Sequence, residues 1–222
     1  MDLLERFDDQ VRRPGADEDG IRSGDDWATV VWLPRDVERA VARLRDLPGH
    51  KEWKLYGHDP AWLPGRLQRL GLEPEDEEAV MVIDAAALPA PPADVELRDD
   101  PDAFVELAAK VFGERHELPA NAAAVVAVID GTPVSGGRVD LEPDTEFAGL
   151  YGGVTLPEYR GRGLYRATVL KRAEIARARG YRWLFVDALP TSRPILEWIG
   201  FTQVTTTTPY VFGRDPAASS SG

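Results

Sequence analysis

The sequence predicts a mixed α/β fold, in which helices pack against a sheet that contains both parallel and antiparallel strands. Two observations predict this class. From residue 95 onward, apolar runs of strand length alternate with segments of helical period. Glycine and proline separate these segments, as they do at helix ends and in turns. The 222 residues, 43% of them hydrophobic, are enough to bury one large core or two modest ones.

An Ala/Pro-rich stretch at residues 86–94 predicts a semi-rigid linker, because proline has no backbone donor and interrupts regular structure. It separates an expected α/β half-domain at 1–85 from an expected α/β domain at 95–213. The polar tail at 214–222 has nothing to bury, so we expect it to be disordered. The acidic stretch at 17–26 is expected to be loose as well.

The second part begins with a short strand and a helix that starts at Pro101 and stops at Gly113. A turn at Gly131 joins the next two strands into a hairpin. The predicted elements are, in chain order, strand 95–98, helix 101–112, strands 124–130, 132–142 and 147–156, helix 163–179, strand 183–189, helix 194–199 and strand 205–212.

Composition excludes several classes of function. The chain has no cysteine, which removes disulfides, thiolate metal sites and cysteine nucleophiles. Its three histidines, His50, His58 and His116, do not have metal-ligand spacing, so no metal is expected. The net charge of −12 disfavours nucleic-acid binding and is compatible with an amine substrate. No run of about 18 apolar residues predicts a membrane span, and no secretory signal opens the chain, so we expect a cytoplasmic protein.

The chemistry is predicted at the turn between the strand at 147–156 and its helix. Gly161 and Gly163 allow the backbone to approach a ligand, and the free N–H groups of a helix that begins there attract an anion such as pyrophosphate. No Gly-Lys-Ser/Thr follows, which excludes a Walker loop. From these two glycines alone, a tight strand-to-helix turn without a ligand is an equally good interpretation.

The context of this turn resembles the GNAT family of N-acetyltransferases. The family's coenzyme loop has the pattern Q/R-x-x-G-x-G/A after a strand, and here Val154-Thr155-Leu156 is followed by Arg160-Gly161-Arg162-Gly163-Leu164-Tyr165. Tyr165 departs from the pattern, because the family has Gly or Ala there. The segment 192–201 also resembles the family's last short helix, with its Gly200-Phe201. The resemblance covers essentially all of residues 96–212.

This resemblance implies a GNAT acyl-CoA N-acyltransferase fold, acetyl-CoA as co-substrate and a primary amine as acceptor, on a small molecule or a peptide. The backbone of Val154 and Leu156, with Thr155 between them, would bind the pantetheine arm where the fourth and fifth strands separate. The pyrophosphate would be held by the N–H groups of Arg162, Gly163, Leu164, Tyr165 and Arg166, with Gly161 shaping the loop. Arg162 or Arg166 would add a charged contact, whereas at least some of the arginines further along the helix are expected at the surface. Ser192, where the family often has asparagine, is expected either beside the coenzyme or as a helix cap, and capping is favoured.

For the residues that donate and accept protons, the sequence leaves alternatives. Many family members have a tyrosine donor four residues before the Gly of Gly-Phe, but this chain has Leu196 there. Tyr151 and Tyr210 are the alternative donors, and each also fits a packing role. Glu146 and Glu142 are the candidate bases, although a carboxylate beside a hairpin is usually only solvated.

Residues 1–85 resemble a degenerate half-repeat of the same fold. Leu33-Pro34 parallels Leu156-Pro157, and Trp53 parallels Trp183. The glycine loop is missing, so this half is expected to complete the sheet or wall a substrate cleft. An unrelated small α/β domain is the alternative. For the whole chain, the predicted activity is acetyl transfer to an amine, and the alternative is an acyl-CoA sensor without turnover. The sequence does not predict the acceptor or the oligomeric state.

Overall fold

The computed structural model describes residues 2–213, so the tail predicted at 214–222 lies outside the described residues. The helices are α1 (Leu3–Phe7), α2 (Val37–Asp46), α3 (Leu63–Arg69), α4 (Pro101–Phe112), α5 (Leu164–Ala178) and α6 (Arg193–Ile199). The strands are β1 (Ile21–Ser23), β2 (Trp27–Val30), β3 (His50–Tyr56), β4 (Leu72–Pro74), β5 (Glu78–Asp84), β6 (Glu96–Asp99), β7 (Ala122–Ile129), β8 (Thr132–Asp140), β9 (Phe147–Thr155), β10 (Trp183–Ala188) and β11 (Thr202–Phe212). The predicted mixed α/β class is confirmed.

The chain divides into two compact units. Unit 1 comprises the residues up to Val80, Asp187–Pro190 and the residues from Gln203 onward, and unit 2 comprises Met81–Val186 and Thr191–Thr202. These limits differ from the predicted domain boundaries, because β11 pairs with β3 and β4 of unit 1.

The predicted linker at 86–94 is packed against the rest of unit 2 only at its start. A 3-10 turn forms at Ala85–Ala87. The side chains of Ala85 and Leu88 are buried. The Arg177 guanidinium donates to the carbonyl oxygens of both residues at 3.3 Å. Because its carbonyls are satisfied in this way, the start of the stretch is anchored.

In unit 1, β2 and β3 are parallel and flank α2, while β1 and β11 add antiparallel neighbours. The core contains the buried side chains of Leu44, Trp53, Leu63, Leu67 and Tyr210. The expectation of a loose acidic stretch at 17–26 is wrong. It contains β1, and Asp19 pairs with Arg43 of α2 at 2.9 Å and with Arg39 at 3.3 Å.

In unit 2, β6, β7, β8 and β9 are antiparallel, and β10 joins β9 in parallel. The β7–β8 turn has positive φ at Asp130 (49°) and Gly131 (76°), as a type I′ hairpin requires. Two neighbouring glycines of β8 define the faces of this sheet. A Cβ on Gly136 would meet Phe104 of α4, and one on Gly137 would meet Arg172 of α5. The helices α4 and α5 therefore cover opposite faces.

Candidate active site

Strands β9 and β10 are paired over only three residues. The pairs run from Phe147–Trp183 to Gly149–Phe185, although β9 continues to Thr155. Beyond this point the β8–β9 register shifts, next to Gly152, whose φ is 60°. A bulge of this kind bends a strand away from its neighbour. The fourth and fifth strands of this half thus separate and leave β9 backbone groups facing a gap, the arrangement that the family resemblance implies.

The backbone that faces the gap belongs to Thr155 rather than to Leu156. The Leu156 N–H donates to the Val134 carbonyl at 2.9 Å, and its own carbonyl accepts from the Tyr159 N–H at 2.9 Å. Because alternate residues of a strand direct their backbone groups to opposite sides, Val154 also faces β8. Its carbonyl accepts from the Ser135 hydroxyl at 2.9 Å. The expectation for Val154 and Leu156 is therefore corrected: the backbone groups on the gap side are those of Thr155, whose carbonyl accepts from the exposed Arg160 Nε at 3.3 Å.

The loop after β9 ends in an open helix N-terminus. A 3-10 turn at Pro157–Tyr159 leads to Gly161 and Gly163, with φ of 73° and 75°. A Cβ on either glycine would meet nothing within 4 Å, so these positions need glycine for the left-handed conformation and not because of crowding. Gly163 caps α5 without any side-chain hydrogen bond. No N-cap side chain therefore occupies the first-turn N–H groups of α5.

Two arginines lie beside this helix N-terminus. The Arg162 guanidinium is 5.1 Å from the centre of the Tyr159 ring. The Arg166 guanidinium is 4.7 Å from the centre of the Trp198 ring, which is 71% exposed on α6. Among the described residues, the buried Arg166 Nε has no hydrogen-bond partner. Both cations expected near the pyrophosphate are thus at the start of α5.

Arg172 connects α5 to the irregular part of the sheet. It is 1% exposed, and its guanidinium donates to the carbonyls of Thr168 at 3.1 Å, Arg138 at 3.0 Å and Tyr151 at 3.5 Å. Burial lowers the pKa of Arg172 to about 10, so it is still charged at neutral pH. The Arg138 and Tyr151 carbonyls lie beside the register shift. Arg172 therefore satisfies backbone groups that the irregular pairing exposes.

The α4 face of the sheet carries a polar cluster next to the gap. Arg138 of β8 is the register partner of Tyr151 of β9, and its guanidinium lies 5.1 Å from the Tyr151 ring centre. The Arg138 Nε donates to the Asp140 Oδ1 at 2.9 Å. Burial raises the pKa of Asp140, and the nearby Arg138 partly offsets this rise. The cluster combines a cation, a phenol and a carboxylate with a raised pKa.

A cavity of about 160 Å³ adjoins this cluster. Its walls are mostly apolar and come from α4 and the following loop: Phe104, Val105, Ala108, Phe112 and Leu118. Arg138 and Gly152 line it from the sheet, and Glu114 and His116 line it from the loop. The loop after α4 thus contributes to this pocket.

The structure does not bring together all of the predicted catalytic residues. Tyr210 is 6% exposed in the core of unit 1, opposite Trp53, so its predicted role as proton donor is replaced by packing. Glu146 precedes β9 and lies six residues from Gly152, which corresponds to roughly 20 Å along a strand. It is therefore too far from the bulge to act as the base. Glu142 is exposed, and its carbonyl accepts from the Tyr181 hydroxyl at 2.8 Å.

Two further positions that the sequence analysis considered, Ser192 and Leu196, lie at or next to α6. Ser192 precedes this helix, but its side chain makes no capping hydrogen bond, so the favoured capping role is wrong. Leu196, at the family's usual tyrosine position, is fully buried. The residues that the sequence analysis missed are Arg138 and Asp140. Because they are two residues apart in one strand, both lie on the same face of the sheet. This spacing of two charged residues in an otherwise small and apolar strand was the signal that could have identified them.

A family model described as the acetyltransferase (GNAT) family matches residues 89–201. The chain belongs to this family. It is an acyltransferase, and acetyl-CoA is the acyl donor that the family uses. The open helix N-terminus and the unpaired edge of β9 fit this coenzyme.

Solved structures with the same fold include a GCN5-related N-acetyltransferase from Kribbella flavida. Its TM-score is 0.65 at 19% identity, over 89% of this chain and 87% of that one. A protein from Novosphingobium aromaticivorans DSM 12444, assigned to the GNAT acetyltransferases, has a TM-score of 0.58 at 18% identity, over 86% of this chain and 90% of that one. No curated protein sequence matches.

Within residues 2–213, no helix is long and apolar enough to cross a membrane. The same residues contain no group of three or more acidic or histidine side chains arranged to hold a metal ion.

Proposed function

We propose that this acyltransferase transfers the acetyl group of acetyl-CoA to a primary amine, directly, in a ternary complex. The observation that carries the proposal is the separation of β10 from β9 after Gly149, which leaves the Thr155 backbone without a β10 partner immediately before the glycine loop. An extended thioester arm can pair with such an edge as an added strand. The open N-terminus of α5 then receives the pyrophosphate at the end of that arm.

The coenzyme site is proposed to use backbone groups for most contacts. The Thr155 N–H and C=O bind the pantetheine amides, and the pantetheine replaces or shares the exposed Arg160 Nε donor that lies 3.3 Å from this carbonyl. The N–H groups of Arg162, Gly163 and Leu164, continued by Tyr165 and Arg166, bind the pyrophosphate, and the positive end of the helix dipole favours its charge. The Arg166 guanidinium supplies a cation, and its exposed neighbour Trp198 offers a flat surface beside it.

Proton transfer is proposed to involve the cluster on the α4 face. As the N–C bond forms and the C–S bond breaks, the amine nitrogen loses a proton and the thiolate gains one. Asp140 accepts the first proton, for which a raised pKa is an advantage. Tyr151, whose ring lies beside the Arg138 guanidinium, donates the second. Holding amine and thioester together supplies much of the remaining acceleration.

Free thiol release from acetyl-CoA, measured with a panel of primary amines, tests the activity. Thiol release that depends on the amine and yields the N-acetyl product supports transfer. Calorimetric binding of acetyl-CoA without release for any amine favours the second candidate, a sensor of acyl-CoA. The cavity beside Arg138 favours the enzyme, since a sensor needs no acceptor site.

Unit 1 is proposed to be a degenerate half-repeat of the same fold. Its β2, α2 and β3 form a parallel β-α-β unit, as β9, α5 and β10 do in unit 2. At the start of α2, Asp36 accepts from the Arg39 N–H at 3.0 Å. Since this side chain occupies the helix N-terminus that is open in α5, unit 1 is not expected to bind pyrophosphate there.

A further inference from the structure

The cavity beside the gap has the size and the lining of a site for one small side chain. Its volume of about 160 Å³ is below the roughly 300–1,000 Å³ of pockets that hold drug-sized ligands. Phe112 is 58% exposed at the end of α4 and lines this cavity. A large exposed apolar side chain at a cavity wall is typical of a ligand site.

Arg138 is the polar residue that lines this cavity from the sheet, and it has unused donors, whereas Glu114 and His116 line it from the loop. Arg138 uses its Nε to bind Asp140. Its Nη1 and Nη2 groups have no hydrogen-bond partner among the described residues, and its side chain is 27% exposed. The free edge of a guanidinium matches the two oxygens of a carboxylate. An anionic group is therefore favoured beside Arg138 on the sheet side of the cavity, while Glu114 lies on the loop side with its side chain 78% exposed.

Asp140 is the charged partner of Arg138. It lies beside Arg138 on the same face of β8, which places a carboxylate next to the cation. The charges of an α-amino acid have the complementary arrangement, with an ammonium next to a carboxylate. A polyamine acceptor fits less well, because it brings no anion for Arg138 and has no use for the apolar walls.

We propose that the acceptor is an α-amino acid with an apolar side chain: Arg138 binds its carboxylate, Asp140 faces its amine, and the cavity lined by Phe104 and Phe112 holds its side chain. This rests on the proposed function, since it names the acceptor of the same reaction. It makes Arg138 the residue that determines specificity for the carboxylate.

The test compares phenylalanine with phenethylamine, which lacks only the carboxylate, and with spermidine. Binding to the full chain in the presence of CoA is measured by calorimetry, and thiol release from acetyl-CoA is measured in parallel. Phenylalanine is expected to bind roughly 10- to 100-fold more tightly than phenethylamine, as for a hydrogen-bonded charge pair. Arg138→Gln should abolish this ratio and leave acetyl-CoA affinity unchanged.

Two variants of α4 provide a matched pair. Phe112→Ala should weaken phenylalanine binding relative to glycine, whereas Val111→Ala, next to it and 38% exposed, should leave the ratio as in the wild type. Because both positions are exposed, neither variant is expected to unfold the protein.

Failure of this inference and failure of the proposed function are distinguishable. If acetyl-CoA binds but phenethylamine or spermidine is preferred, if phenylalanine does not bind, or if Arg138→Gln retains the wild-type ratio, the inference is overturned while amine acetylation stands. If acetyl-CoA itself does not bind, both proposals fall.

Discussion

The ring of Tyr165 occupies the space that a side chain on Gly153 would need. A Cβ on Gly153 would lie 2.7 Å from the Tyr165 Cε2 atom, closer than non-bonded carbon atoms approach. Tyr165 stands where the family's loop has Gly or Ala, so the bulky substitution is accommodated by a missing side chain on β9. Burial raises the pKa of Tyr165, and its phenol is therefore protonated at neutral pH.

This relationship predicts that Gly153→Ala destabilises the protein by about 1–3 kcal/mol, as expected for overpacking. The measurement is the free energy of unfolding from urea titration. In the background of Tyr165→Ala, which removes the ring, Gly153→Ala should cost much less. Two single effects that simply add in the double variant would show that the two residues are not coupled.

Tyr151 and Tyr210 provide a matched pair of substitutions to phenylalanine. Tyr151→Phe should lower kcat roughly 10- to 1,000-fold, as for loss of a positioned acid, with acetyl-CoA affinity nearly unchanged. Tyr210→Phe should leave kcat unchanged, because Tyr210 lies in the core of unit 1. Steady-state kinetics measures kcat of the two variants. Normal turnover in both variants would favour departure of the thiolate with solvent as the acid.

Arg172→Met should destabilise unit 2 by about 1–3 kcal/mol for each carbonyl that loses its donor. The affected carbonyls are those of Arg138 and Tyr151. Arg172→Lys should not rescue the protein fully, because a single ammonium lacks the geometry of the guanidinium. Arg179→Met, at the exposed end of α5, is the control and should change the unfolding free energy by at most about 0.5 kcal/mol. Equal effects of the two methionine variants would contradict the role of Arg172.

The raised pKa of Asp140 predicts the direction in which the free energy of unfolding changes with pH. Burial raises its pKa above the ordinary value of 3.8, so the folded protein binds this proton more tightly than the unfolded chain. This tighter proton binding stabilises the folded state fully below pH 3.8. The stabilisation is lost as the pH rises through the pKa that Asp140 has in the folded protein. The unfolding free energy of the wild type minus that of Asp140→Asn should therefore fall with rising pH over this window. A difference that increases with pH would show that the ion pair with Arg138 outweighs burial.

Local sequence signals predicted the parts of the site that depend on backbone conformation. Gly161 and Gly163 are required by positive φ, and Gly113 and Gly180 end helices for the same reason, so each could be recognised from its neighbours in the chain. The alternation of strands and helices in residues 96–212 was also predicted, because it follows from hydrophobic periods that are local in the sequence.

The positions of the candidate catalytic side chains depend on strand pairing, which the sequence does not display. Tyr210 could not be assigned to the core of unit 1 without knowing that β11 pairs with β3. The direction of the Thr155 backbone follows from the register between β8 and β9. The order in the stretch at 17–26 depends on ion pairs with Arg39 and Arg43, about 20 residues away in sequence.

The most direct test of coenzyme binding at the loop is calorimetric titration of acetyl-CoA into Gly163→Asp and Gly163→Asn. A side chain at this position meets nothing within 4 Å, and Asn and Asp tolerate the left-handed conformation similarly. The two variants therefore differ mainly in charge. If the pyrophosphate binds at the start of α5, the Asp variant should bind acetyl-CoA at least roughly tenfold more weakly than the Asn variant, a difference of about 1.4 kcal/mol or more. Equal affinities of two folded variants would contradict the account.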